Sequence, residues 1–223
     1  MNTIDLLWAD AGTSPSGTGS FSYFTNFTVR VENLAFVKQV QILGHDTTSG
    51  SWNFHSMAFS SSVSGNGEIW TAHIGSPPVD QFVVQCIVLG DTFWDNNSGF
   101  NYLLDTRAAE EEDGVGSAIL ASNVVSVDHA VEGGNLTVDV LLRNLAFSKQ
   151  VGIFFTTDSW STVQSALGTF QETFPPLNAP NQPNAERWLV SAPVGAGKGQ
   201  FAVFYAVNGS TFWDNNFGAN YSF

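Results

Sequence analysis

Positive charge is scarce: seven lysines and arginines stand against twenty aspartates and glutamates in 223 residues, a formal charge of −13. A phosphate backbone or an anionic membrane surface is repelled by that average field, so nucleic acid is excluded as a natural partner. Cysteine is scarcer still. Cys86 alone rules out an intrachain disulfide and any multi-cysteine metal site, and its apolar surroundings from Phe82 to Leu89 make it a buried core thiol. No apolar run approaches the length of a membrane-spanning helix, so no membrane insertion is expected. Met1 to Asp10 has neither a basic leader region nor a long apolar one, which points to a cytoplasmic or non-classically secreted protein, or an extracellular one if Met1 replaces a removed leader.

Chemistry-bearing clusters are missing as well. The four histidines, His45, His55, His73 and His129, have no metal-ligand spacing, and none recurs in the other half of the chain. No metal or other cofactor is expected. No carboxylate pair recurs with the isolation that a glycosidase acid and nucleophile need, so the chain is read as non-catalytic. Gly195-Ala196-Gly197-Lys198-Gly199 fails as a phosphate loop because Gly199 stands where Ser or Thr must bind magnesium. Charged residues make up only 12% of a chain rich in Gly, Ser, Thr and Asn. Such a surface suits neutral polar ligands.

What is present is written twice. Thr92-Phe93-Trp94-Asp95-Asn96-Asn97-Ser98-Gly99-Phe100-Asn101-Tyr102 returns as Thr211-Phe212-Trp213-Asp214-Asn215-Asn216-Phe217-Gly218-Ala219-Asn220-Tyr221. Asn33-Leu34-Ala35-Phe36-Val37-Lys38-Gln39-Val40 returns as Asn144-Leu145-Ala146-Phe147-Ser148-Lys149-Gln150-Val151, differing at one position. Repetition of this kind indicates two domains of similar length, 1–104 and 119–223, joined by an acidic linker at 105–118 that carries Glu110-Glu111-Glu112-Asp113. Period-two runs such as Phe27 to Val31 and Leu136 to Leu142, with turn signals between them, predict an all-β protein of two tandem antiparallel immunoglobulin-like β-sandwich domains. Ala11 to Ser20 reads as a loop, and a hairpin turn is expected at Gly90-Asp91 and at Asn208-Gly209.

Alternation turns Phe93 and Phe212 inward and sends the indoles of Trp94 and Trp213 outward. Asp95 and Asp214 then serve the turn. Trp70 and Trp188, in alternating strands, belong to the core, whereas Trp52 and Trp160 lie among Ser, Asn and Asp. An exposed indole among amides is suited to a polyhydroxylated ligand with apolar C–H faces.

With these motifs the sequence resembles family 21 carbohydrate-binding modules, the starch- and glycogen-binding modules of some fungal amylolytic enzymes and of glycogen-targeting phosphatase subunits. The resemblance implies a glucan site in each half, with Trp52, Trp94, Asn96 and Asn101 in the first and Trp160, Trp213, Asn215 and Asn220 in the second. A third aromatic found on the penultimate strand of some members falls here on Val83 and Ala202. A secondary carbohydrate site is implied at Phe36, Lys38 and Glu68, and at Phe147, Lys149 and Glu186, with its remaining aromatic replaced by Gly67 and Ala185. The implied partner is a polysaccharide or other glycan: starch, glycogen or another glucan. The alternative is a glycogen-targeting scaffold with a protein partner, although no basic-Val-x-Phe docking sequence is present. Two rings and a few hydrogen bonds leave roughly −4 to −6 kcal/mol per site, about millimolar to tens of micromolar. Two such sites on one polymer gain about 10²–10⁴ in avidity.

Overall fold

A computed structural model describes residues 3–15, 21–75, 77–104, 114–120, 122–174 and 184–223. The acidic run Glu110–Asp113 and the Pro-rich stretch Pro175–Pro183 lie outside the described residues. Those described fall into two compact units, one ending at Leu120 and one beginning at Ser122. Each is an antiparallel β-sandwich.

The first unit contains β1 (Ile4–Pro15), β2 (Phe21–Glu32), β3 (Lys38–Asp46), β4 (Trp52–Ser56), β5 (Ala58–Val63), β6 (Gly67–Ile74), β7 (Val79–Val88), β8 (Asp91–Asp95), β9 (Tyr102–Leu103) and β10 (Gly114–Leu120). One sheet runs β10-β1-β2-β6-β5 and the other β4-β3-β7-β8, with β9 also on β7. Between them Ile4, Leu6, Phe27 and Val29 meet Ile42, Phe82, Val84 and Cys86, all essentially inaccessible. Phe27 and Phe82 cross edge to face at 4.7 Å. Period-two patterning does the work here, because every second residue of each strand reaches this interior.

Two expectations shift. Ala11 to Pro15, expected within a loop, continues β1 and pairs with Phe21 to Thr25. Gly114 to Leu120, expected as linker end and second-domain start, is a strand on the outer edge of β1 in the first unit. Its Ile119-Leu120 pair is apolar enough to be buried, which the neighbouring acidic run obscures in the sequence.

The second unit repeats the plan with β11 (Val124–Glu132), β12 (Asn135–Arg143), β13 (Lys149–Thr156), β14 (Gln164–Thr173), β15 (Ala185–Pro193), β16 (Gln200–Val207), β17 (Ser210–Asp214) and β18 (Tyr221–Ser222). One difference stands out. In the first unit the chain breaks at buried Met57, so that β4 pairs with β3 and β5 with β6. In the second, Gly168 takes that place, and the unbroken β14 pairs with β13 through Gln164–Leu167 and with β15 through Gly168–Thr173. The two layers thereby join into one folded sheet.

Candidate carbohydrate-binding faces

Each repeated motif begins in a two-residue hairpin. Val88 pairs with Asp91 across Leu89-Gly90, and Val207 pairs with Ser210 across Asn208-Gly209. The first turn therefore sits one residue earlier than the expected Gly90-Asp91. All four turn residues have positive φ, 55° and 89° in the first and 52° and 75° in the second, the geometry of a type I′ turn. The following strands send Phe93 and Phe212 against the core and leave Trp94 44% and Trp213 52% exposed. Alternation places both indoles as expected.

The amides after each tryptophan build a turn. Asn96 Oδ1 accepts from the Gly99 N–H at 3.0 Å and Asn215 Oδ1 from the Gly218 N–H at 3.0 Å. Asn97 Nδ2 donates to the Asn101 carbonyl at 2.9 Å, and Asn216 Nδ2 to that of Asn220 at 3.2 Å. Asn97, Asn101, Asn216 and Asn220 all hold positive φ, a conformation asparagine tolerates better than most residues. The asparagines are thus first a scaffold, and Asn96 and Asn215 have already committed side-chain oxygen to it.

Asp95 and Asp214 bind the turn to the opposite layer of the sandwich. Asp95 accepts from Tyr102 Oη at 2.9 Å and from the Leu6 N–H at 2.6 Å. Asp214 accepts from Tyr221 Oη at 2.8 Å and from the Ser126 N–H at 2.6 Å. Leu6 and Ser126 stand at the edge of register shifts in β1 and β11, where a bulge releases an N–H from the ladder. Burial pushes the Asp214 carboxyl above its ordinary value against the pull of these donors, and burial beside Asp214 also raises the Tyr221 phenol.

The remaining tryptophans of the expected platforms are not counterparts. Ile42 pairs with His55, and the equivalent Ile153 pairs with Ala166, so the register opposite Trp52 falls on Val163. Trp52 lies in β4 beside His45, its ring 5.6 Å from the imidazole, which contacts Asp80 at 2.7 Å. Trp52 and Trp94 stand on one sheet face but at opposite corners, three strands and four residues apart, roughly 20 Å between Cα atoms. Trp160 instead belongs to the turn after β13. Asp158 holds that turn, accepting from the Thr162 N–H at 2.9 Å and Thr156 Oγ1 at 2.8 Å, donors that keep its carboxyl below the ordinary range. Trp160 Nε1 donates to Gln200 Oε1 at 2.7 Å, at one end of the face whose other end carries Trp213.

Between those ends the two halves differ. In the first, Gln41 and Gln85 lie beside Trp94 and hydrogen-bond each other, and Gln39 Nε2 donates to Gln41 Oε1 at 2.8 Å. In the second, the same registers hold Gly152 and Phe204. Phe204 lies across Gly152, where an added Cβ would stand 2.9 Å from its ring. Trp213 is 6.1 Å from Phe204 and 5.7 Å from Phe154, with the latter pair 29° from parallel. Phe154 and Phe204, standing in runs of apolar strand residues, gave no sign in the sequence of which face they occupy.

The secondary positions also repeat. Lys38 Nζ meets Glu68 Oε2 at 2.7 Å and Asn33 Oδ1 at 3.0 Å, and Trp70 Nε1 donates to the same Glu68 oxygen at 2.9 Å. Lys149, Glu186, Asn144 and Trp188 do the same at 2.7, 2.7 and 2.9 Å. With the lysine side chains 1% and 3% exposed, this network chiefly locks the turn to the core tryptophan. Phe36 and Phe147 project fully, 97% and 102% exposed. Near Phe147, a shallow open groove of about 510 Å³ is lined by residues that include Lys149, Asn208 and Thr211. Phe59 and Phe170, half exposed, pack edge to face on Trp70 and Trp188 at 5.9 Å, aromatics that come from the neighbouring strand and not from the positions beside Glu68 and Glu186 in the sequence.

Parts of the chain are similar to known proteins. Residues 120–223 match the family described as carbohydrate/starch-binding module (family 21). Among individual proteins, human protein phosphatase 1 regulatory subunit 3E is 32% identical over 128 residues, covering 54% of this chain and 43% of the relative. Glucoamylase 1 of Rhizopus oryzae is 28% identical over 108 residues, 47% of this chain and 17% of that enzyme. The structure of the starch-binding domain of Rhizopus oryzae glucoamylase with β-cyclodextrin and maltoheptaose aligns with TM-score 0.38 and 26% identity, covering 48% of this chain and 95% of that one. The chain spans less than half the length of the curated relatives it matches.

Proposed function

We propose that this chain is a non-catalytic, bivalent carbohydrate-binding protein that holds glucans of the starch or glycogen type, one module in each half. The observation that carries the reading is the exposed motif tryptophan, Trp213, on an uncharged sheet face in the half that matches the family. An indole there covers the C–H face of a sugar while Asn215 beside it and Gln200 at the far end of the face offer hydrogen bonds, and a neutral ligand meets no opposing charge. Trp94, on the corresponding strand, gives the first half its own point of contact. Trp52, Asn96 and Asn101 assist in the first module, and Trp160, Asn215 and Asn220 in the second. Phe36 and Phe147 form lesser contacts beside their Lys–Glu pairs. Linking two weak sites on one chain raises retention on a polymer above that of either site.

Retention on insoluble starch tests this reading. The Trp94→Ala, Trp213→Ala double variant loses retention while keeping its circular dichroism spectrum; unchanged retention overturns the site assignment. A second reading, a scaffold that brings an enzyme to glycogen, is favoured by the similarity to phosphatase regulatory subunits. A stoichiometric protein partner recovered with the glycogen-bound chain would support it.

A further inference from the structure

The outer face of the second sandwich is apolar where a sheet facing water is ordinarily polar. Phe154 of β13 and Trp213 of β17 flank Phe204 of β16, and all three rings lie within about 6 Å of one another. Leu167 of β14 extends the patch at the register of Gly152 and is 61% exposed. None of these residues serves the interior, which is filled from the other face by Val151, Ile153, Phe155, Val203 and Tyr205. The face residues around them, Gln150, Thr156, Ser165, Gln200, Ala202 and Thr211, are uncharged. The corresponding face of the first sandwich carries Leu43, Gln41 and Gln85 at the places of Phe154, Gly152 and Phe204.

An exposed apolar patch rimmed by neutral amides and hydroxyls fits a ligand that is itself neutral, hydroxylated and apolar on its ring faces. On these grounds, and resting on the glucan reading above, we propose that Phe154 is a further sugar-stacking residue of the second half and that this makes the second module the stronger glucan site. The cross-strand partner of Phe154 is the small Ala202, and its ring packs instead on Phe204 at 5.1 Å and Trp213 at 5.7 Å. Phe204, 9% exposed, is the support beneath, and Gly152 is the residue that makes room for its ring. In the first half, Leu43 pairs with Val83 at this register, and neither offers a flat face.

The test uses the full chain carrying Trp94→Ala, so that binding of maltoheptaose, followed by calorimetry, reports the second half. Phe154→Leu, which copies Leu43, is expected to weaken binding about tenfold, the scale of one aromatic contact. Phe154→Tyr retains the ring and is expected to stay within about twofold. Near-ultraviolet circular dichroism of the aromatic side chains, compared between the Phe154 variants and their parent, checks that the packing of the rings is kept. If Phe154→Leu binds as tightly as its parent while Trp213→Ala does not bind, the role of Phe154 is overturned and the glucan reading stands. If Phe154→Tyr loses as much as Phe154→Leu, the effect is one of packing and the proposal fails. Absence of binding by the unmodified chain overturns the glucan reading itself.

Discussion

Lys38, Glu68, Trp70 and Asn33 in one half and Lys149, Glu186, Trp188 and Asn144 in the other make the same network, with bond lengths that agree to within 0.3 Å. On the outer sheet faces, by contrast, Gln41, Leu43 and Gln85 face Gly152, Phe154 and Phe204. The buried polar network is constrained because each partner would be left unpaired by loss of another, whereas an outer face is free to change with what it touches. The shared part holds each sandwich together, and the outer faces are where the two halves diverge in chemistry.

The largest effect is expected from breaking what they share. Glu68→Ala or Glu186→Ala leaves a buried lysine without its carboxylate and is expected to cost the affected half about 3–5 kcal/mol. Denaturant titration followed by tryptophan fluorescence measures it. Losses of similar size in both halves support equivalence of the networks, and a negligible loss in either breaks it. Next come Asp95→Ala and Asp214→Ala, each of which removes the acceptor of a backbone N–H and of a tyrosine hydroxyl and is expected to cost about 2–3 kcal/mol. Hydrogen exchange at Leu6 and Ser126 is the direct readout, since those amides lose their acceptor. Faster exchange at the amide is expected, and unaltered protection breaks the stapling role.

A gain of function sharpens the contrast between the faces. Gln41→Gly, Leu43→Phe and Gln85→Phe together copy the second face onto the first. In a Trp213→Ala background this triple change is expected to raise maltoheptaose affinity about tenfold, roughly 1.4 kcal/mol. No gain would mean that the aromatic cluster is not what separates the halves.

How much of this was legible in the sequence follows from the kind of signal each feature leaves. Phe93 against Trp94 and Phe212 against Trp213 could be assigned to opposite faces because a strand alternates and the flanking residues were polar. The Lys–Glu pairing was readable as a recurrence. Phe154 and Phe204 were not, since Ile153-Phe154-Phe155 and Val203-Phe204-Tyr205 are apolar on both faces and carry no alternation to decode. Equating Trp52 with Trp160 failed for a different reason: a turn held by Asp158 displaces one tryptophan from the strand, and only the pairing of Ile42 with His55 and Ile153 with Ala166 reveals it. The strand Gly114–Leu120 was hidden behind the acidic run that precedes it, which marks solvation more strongly than a short apolar pair marks burial.

The smallest effect concerns the turns that launch the two motif strands. Asn208 and Leu89 occupy the same first position of a type I′ turn at φ of 52° and 55°, yet only asparagine is suited to it. A left-handed conformation sets Cβ of an ordinary residue against its own carbonyl at about 1–2 kcal/mol, part of which asparagine recovers through local hydrogen bonding. Leu89 is 74% exposed, so its side chain contributes little burial in compensation. Leu89→Asn is therefore expected to stabilise the first half by about 0.5–1 kcal/mol, and Asn208→Leu to destabilise the second by a similar amount. Paired denaturant titrations measure both. Shifts of the same sign in the two variants would show that something other than backbone strain distinguishes the turns, because the strain argument requires that they be opposite.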